Sequence, residues 1–205
     1  MKNNMLISWL FTPFKFIAGS KALVIGIVVL ALLSIFGYLG NVHFGGIVGP
    51  SIADSSSESP YILHACYQLS ACISMTLVFY IMARIVSKTS VRLIDIAGTM
   101  AVSQAPFILV ALLGLLPNVH LHIGDPNTAN IQEIMQVVKD NIVMITMISI
   151  ISILVMIWSM ALKYNAYSVS ANIKGVIGGV SFTIGIIICE ILSRLINYLV
   201  INLIS

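Results

Sequence analysis

Five long apolar runs, at about residues 22–39, 61–86, 91–116, 141–162 and 173–200, constrain this chain more than any other feature. At ~1.5 Å per residue, a helix built from any one of them is long enough to cross most or all of the ~30 Å hydrocarbon layer of a bilayer. Backbone polar groups in lipid have no water to bond to, so runs of this kind must close their hydrogen bonds internally, as helices. The sequence therefore predicts an all-α integral membrane bundle of five transmembrane helices. Composition agrees, with 59% hydrophobic and only 8% charged residues, where a soluble domain carries about 25% charge. The spans nearly exhaust the 205 residues. That leaves residues 1–21 as an interfacial segment, with a helix broken near Pro13, and residues 22–205 as one membrane domain.

Charge placement predicts the orientation. Lys2, Lys15 and Lys21, then Arg84, Lys88 and Arg92, then Lys163 and Lys174 fall on one side of the predicted spans, while Lys139, and Arg194 within the last span, lie toward the other. Cytoplasmic loops are enriched in Lys and Arg, which puts the N-terminus inside and, with an odd number of spans, the C-terminus outside. Asp54, Glu58, Asp125, Glu133 and Asp140 fall in the opposite loops. Arg84, Lys88, Arg92, Lys163 and Lys174 form the expected inner face for lipid headgroups or a partner. The basic residues are too scattered for a nucleic-acid patch. Cys66, Cys72 and Cys189 have no CxxC spacing and read as small packing residues.

The connections carry their own signals. Residues 40–60, with Gly45, Gly46, Gly49, Pro50 and a serine run, read as a flexible polar loop. Ile131, Ile134, Met135 and Val138 recur at helical spacing, which predicts a short amphipathic helix before the fourth span. The stretch KYNAYSVSANIK reads as a turn with Ser170 as an N-cap.

Polar residues inside the spans are the candidate functional groups. Asp95 lies near the inner interface, within reach of Arg92 or Lys88. Gln104 stands two residues before Pro106, whose missing N–H predicts a kink and a freed carbonyl at Val102. Glu190 and Arg194 are four apart on one helical face, and at a cost of about 2.5 to 3.5 kcal/mol each at a helix centre they are expected to pair. Gln68, Gln104, Glu190 and Arg194 are close enough in depth to form one buried polar cluster, either as glue between helices or as a transport or proton pathway. His120, His122 and Asp125, with His43 from another loop, have metal-donor chemistry, but H-x-H-x-x-D is a weak pattern and the expectation is no metal and no cofactor. Gly175 and Gly179 form a G-x-x-x-G, extended by Gly178, Ser181 and Gly185, for helix packing within one chain or in a homo-oligomer. No nucleophile elbow, Walker loop, zinc-protease or dinucleotide motif is present, so an enzyme is not expected.

Three segments resemble the YIP (Ypt/Rab-GTPase-interacting protein) domain family. They are LFTPFKFI at Leu10–Ile17, AVSQAPFILVALLGLLP at Ala101–Pro117 and IWSMALKYNAYSVSANIKGVI at Ile157–Ile177. The resemblance implies a polytopic membrane protein that interacts with other membrane components. The N-terminal tail of 21 residues has no D-L-Y-G-P-like motif, and Ala101-Val102 stand where the family has Gly-Tyr. These departures point to a bacterial-type member in the cytoplasmic membrane, for which the family implies a fold and no settled activity.

Overall fold

The computed structural model describes residues 10–52, 59–116, 119–120 and 131–204. Five helices in it are long and apolar enough to cross a membrane. They are α1 (Gly19–Leu39), α2 (Tyr61–Val86), a broken third helix made of α3 (Leu93–Val102) and α4 (Phe107–Leu113), α6 (Ile142–Ala171) and α7 (Gly175–Ile204). A short α5 (Ile131–Asp140) precedes the fourth, where the apolar spacing predicted it. A 3-10 turn, Pro13–Lys15, buries Phe14 ahead of α1.

The third helix breaks where Pro106 removes a backbone donor. The Val102 carbonyl is not left free as expected. The chain tightens into i→i+3 turns, in which Ala105 N–H donates to Val102 O at 3.0 Å and Phe107 N–H to Gln104 O at 3.0 Å.

The fourth helix runs nine residues past the boundary at 162 drawn from hydropathy, through the stretch expected to be a turn. Neither Gly nor Pro occurs between Ile142 and Ala171 to stop it. It ends at Asn172, which adopts a left-handed φ of 52°. The Asn172 and Ile173 N–H groups return to Val169 O and Ser168 O, closing the helix in a Schellman arrangement. Ser170 is therefore no N-cap. It sits in the last turn of α6, where its Oγ lies 2.9 Å from Thr99 Oγ1.

Small residues set the helix contacts, since they let backbones approach closely. Helix α1 packs on α3 with Gly26 against Ala101 and Gly98 against the Ala22–Leu23 backbone, and a methyl group at either glycine would overlap its neighbour. Helices α2 and α7 pack antiparallel: Phe79 lies against Gly185, Ser74 O accepts from Cys189 Sγ, and Ser70 Oγ donates to Asn197 Oδ1. The α7 side of this seam, Ser181, Gly185, Cys189, Ser193 and Asn197, recurs every four residues and is buried.

The described part of the 40–60 connection is not the flexible polar loop expected of it. Val42 pairs with Ile52 and His43 with Ser51 in a two-rung antiparallel hairpin. Its tip, Phe44–Pro50, folds back into the bundle, with Phe44, Gly46 and Ile47 buried. The reason is local composition: from Val42 to Pro50 the chain is FGGIVG-like, with His43 as its one polar side chain, and it gains more by burial than by solvation.

Candidate functional site

The hairpin tip meets the polar side chains of the last two helices. Ile47 and Val48 donate their backbone N–H groups to Glu190 Oε2 at 2.8 and 3.2 Å. Lys163 Nζ donates to Ile47 O at 2.8 Å and to Ser159 Oγ at 2.9 Å, and stands 4.6 Å from the centre of the Phe107 ring. Asn197 Nδ2 donates to Gly45 O at 3.0 Å. Ser159 Oγ also donates to Ser103 O at 3.2 Å, which ties this centre to the break in the third helix. Buried backbone outside a helix or sheet needs other protein groups to satisfy it, and the Glu190, Lys163 and Asn197 side chains do so for Gly45, Ile47 and Val48.

Glu190 and Asn197 are seven residues apart on α7, about 10 Å at ~1.5 Å per residue. The hairpin therefore lies along the helix with Gly45 beside Asn197 and Ile47 beside Glu190, at the helix midpoint. Gly46 is a steric requirement, because a Cβ there would run into the Glu190 carboxylate.

Lys163 departs from its expected place. The sequence groups it with Arg84, Lys88, Arg92 and Lys174 on the inner face, but it is fully buried while those four are exposed. The extension of α6 past residue 162 carries it into the bundle. Among the described residues the one ion pair is Glu190–Arg194, with Arg194 Nε 2.6 Å from Glu190 Oε1. The Lys163 ammonium is thus held by a carbonyl, a hydroxyl and an aromatic face.

The four-residue polar cluster expected from depth forms in part. Glu190 and Arg194 pair, with the Arg194 side chain largely exposed. Gln68 and Gln104 are buried in other places. Gln68 lines a groove of about 250 Å³ between α1 and α2 with Ser34 and Tyr61. Gln104 lies in the break of the third helix, and neither amide nitrogen has a hydrogen-bond partner among the described atoms. Asp95 forms no ion pair among the described residues.

At the base of the hairpin His43 lies against His64, their ring centroids 5.1 Å apart, with Tyr67 beside both. Burial pushes the His43 imidazole below its ordinary 6.5. Of the metal candidates, His120 Nε2 is 2.8 Å from Gly114 O, while His122 and Asp125 lie outside the described residues. No group of three or more metal-donor side chains occurs among the described residues. Within the proposed small-residue strip, Ser181 accepts from Tyr167 Oη at 3.1 Å and Gly185 supports Phe79, but Gly175 and Gly179 have nothing within 4 Å of where a side chain would begin.

Sequence reasoning assigns Lys163 to the inner face instead of this buried centre, and misses Asn197 and the hairpin backbone. The uninterrupted helix signal through residue 171 carried the first, and the four-residue spacing from Ser181 to Asn197 carried the second. No family model, curated protein or solved structure matches this chain.

Proposed function

We propose that this is a multi-pass membrane protein of the YIP type, with its N-terminus inside and C-terminus outside a bacterial cytoplasmic membrane, acting as a non-enzymatic interaction or organising component. One contrast carries the reading. An apolar 18-residue stretch of the third helix is 67% buried within the chain, against 11% for the fourth and 22% for the fifth. Lys163, Glu190 and Asn197 turn toward the chain's own hairpin, while the outward faces of α6 and α7 present Met147, Ile150, Leu154, Ile187, Ile191 and Leu195 uncovered. Faces of this kind meet lipid tails or the helices of another membrane protein or a second copy, where association rests on packing. The exposed Arg84, Lys88, Arg92 and Lys174 suit anionic headgroups at the inner surface. Mild detergent extraction followed by affinity purification tests the reading: a stoichiometric membrane-protein partner or a homo-oligomer is expected, and a monomer carrying lipid alone refutes it.

A second reading, a small transporter or channel, draws on the hairpin and the broken third helix meeting around Lys163. Discontinuous elements near the bilayer midplane are where secondary transporters place their sites. Ion or proton flux into liposomes above background favours this reading over the first.

A further inference from the structure

We propose that the groove between α1 and α2 is a binding site for a neutral lipid with a free hydroxyl head, of the diacylglycerol class. The site rests on the chain's being a membrane protein and needs neither a protein partner nor a family. Helices α1 and α2 run antiparallel: Gly37 lies against His64, and one turn further in, Ser34 and Gln68 line the groove together. These two side chains are 4% and 2% exposed. Ser34 Oγ and both polar atoms of the Gln68 amide, Nε2 and Oε1, have no hydrogen-bond partner among the described atoms. A buried polar atom that gives up water without gaining a partner carries the whole penalty of desolvation, so three of them on one seam call for a ligand group. By contrast Ser70, two residues on and facing α7, is bonded to Tyr67 O and Asn197 Oδ1.

The chemistry of the groove selects the head. No charged side chain lines it, so an ion entering it would lose its hydration with no charge to answer. The Gln68 amide offers donors and an acceptor, and the Ser34 hydroxyl offers both kinds. An ester carbonyl only accepts, which leaves Gln68 Oε1 unmet. A hydroxyl donates to Oε1 while accepting from Nε2 or Ser34, and so matches the set with one atom. Size and depth select the rest of the molecule. The volume of about 250 Å³ is below the ~300–1,000 Å³ that encloses a whole small ligand, and the exposed Ile27, Ala31 and Leu69 leave the side of the groove apolar and open. It takes one end of a lipid whose chains stay in the bilayer. Gln68 is seven residues into α2, about 10 Å from its end at ~1.5 Å per residue. With the helix, about 39 Å long, centred on a ~30 Å hydrocarbon layer, the amide lies roughly 6 Å inside that layer. A neutral hydroxyl sinks to such a depth, whereas an ionised phosphate is held at the surface by its hydration.

The test places the purified full chain in phosphatidylcholine nanodiscs with a diacylglycerol that carries a diazirine near the glycerol end of one chain. Cross-linked residues are read by mass spectrometry, and labelling is expected on residues 27–34 and 61–69. Unlabelled dioleoylglycerol should compete, while its 3-O-methyl ether, which has no donor for Gln68 Oε1, should compete about tenfold more weakly, the worth of one hydrogen bond. Dioleoylphosphatidate should compete no better than the ether. Gln68→Leu should lower labelling of the groove by at least the same factor of about ten and fold as well as the parent, because it removes two unpaired polar atoms. Should Gln68→Leu fail to fold, Ser34→Ala, which should also weaken labelling, and the methyl ether still decide. Equal competition by the alcohol and its ether, labelling spread evenly over the outer faces of the bundle, or labelling of the groove unchanged in the variants overturns the proposal. Membrane association is tested apart, by the co-purification above.

Discussion

Two neighbouring glycines in the hairpin provide a matched perturbation. An alanine methyl at Gly46 would come within 2.8 Å of the Glu190 carboxyl carbon and closer still to its oxygens, while one at Gly45 would meet nothing within 4 Å. Neither glycine has a positive φ, so alanine fits the backbone at both positions. Glu190 is not free to swing aside in response to Gly46→Ala, because its Oε2 holds the Ile47 and Val48 N–H groups. Hydrogen bonds to a charged group contribute about 1.5 to 3 kcal/mol each. Losing both would cost about 3 to 6 kcal/mol, and partial relaxation puts the expected loss near the lower end, roughly a hundredfold in the folded-to-unfolded ratio. Gly45→Ala should be neutral or stabilising by about 0.4 to 1 kcal/mol, through reduced freedom of the unfolded chain. Unfolding in mixed micelles titrated with SDS, followed by tryptophan fluorescence, measures both variants. Equal effects from the two substitutions, or a Gly46→Ala protein as stable as the parent, would show that the hairpin is not pinned on Glu190.

The same logic separates the two ends of the glycine strip on α7. Gly185→Leu must displace the Phe79 ring and is expected to destabilise by about 1 to 3 kcal/mol, whereas Gly179→Leu, with open space around it, should leave the SDS midpoint unchanged; similar shifts from both would refute the assigned packing face. Because burial holds His43 below 6.5, the unfolded chain takes up its proton first as pH falls. This contribution to stability is present above about pH 6.5 and is lost on acidification toward the lower folded-state value. His43→Asn should flatten the pH dependence of the thermal midpoint in that window, and an unaltered slope would count against a half-buried neutral imidazole.

The long helices were legible in the sequence because their signal is local and additive: each apolar run states its own length, and Pro106 announces its own break. The amphipathic α5 was legible for the same reason. The end of the fourth helix was misplaced because hydropathy falls at Lys163 and Tyr164 while helical geometry does not. A run without Gly or Pro continues until Asn172 can turn left-handed, so a polar residue within it marks no boundary.

What the sequence alone determined is how many helices of membrane-spanning length form, and that charged groups within them need partners. Which partners they find was decided by the tertiary structure. Gln68 and Glu190 lie at similar depths on the spans drawn from the sequence, yet depth says nothing of which way a side chain faces once five helices have packed. The hairpin was the deciding element. Its backbone donors and acceptors are the same in every sequence and so leave no residue-type signature, but they drew Lys163, Glu190 and Asn197 to Gly45, Ile47 and Val48, more than 100 residues away along the chain.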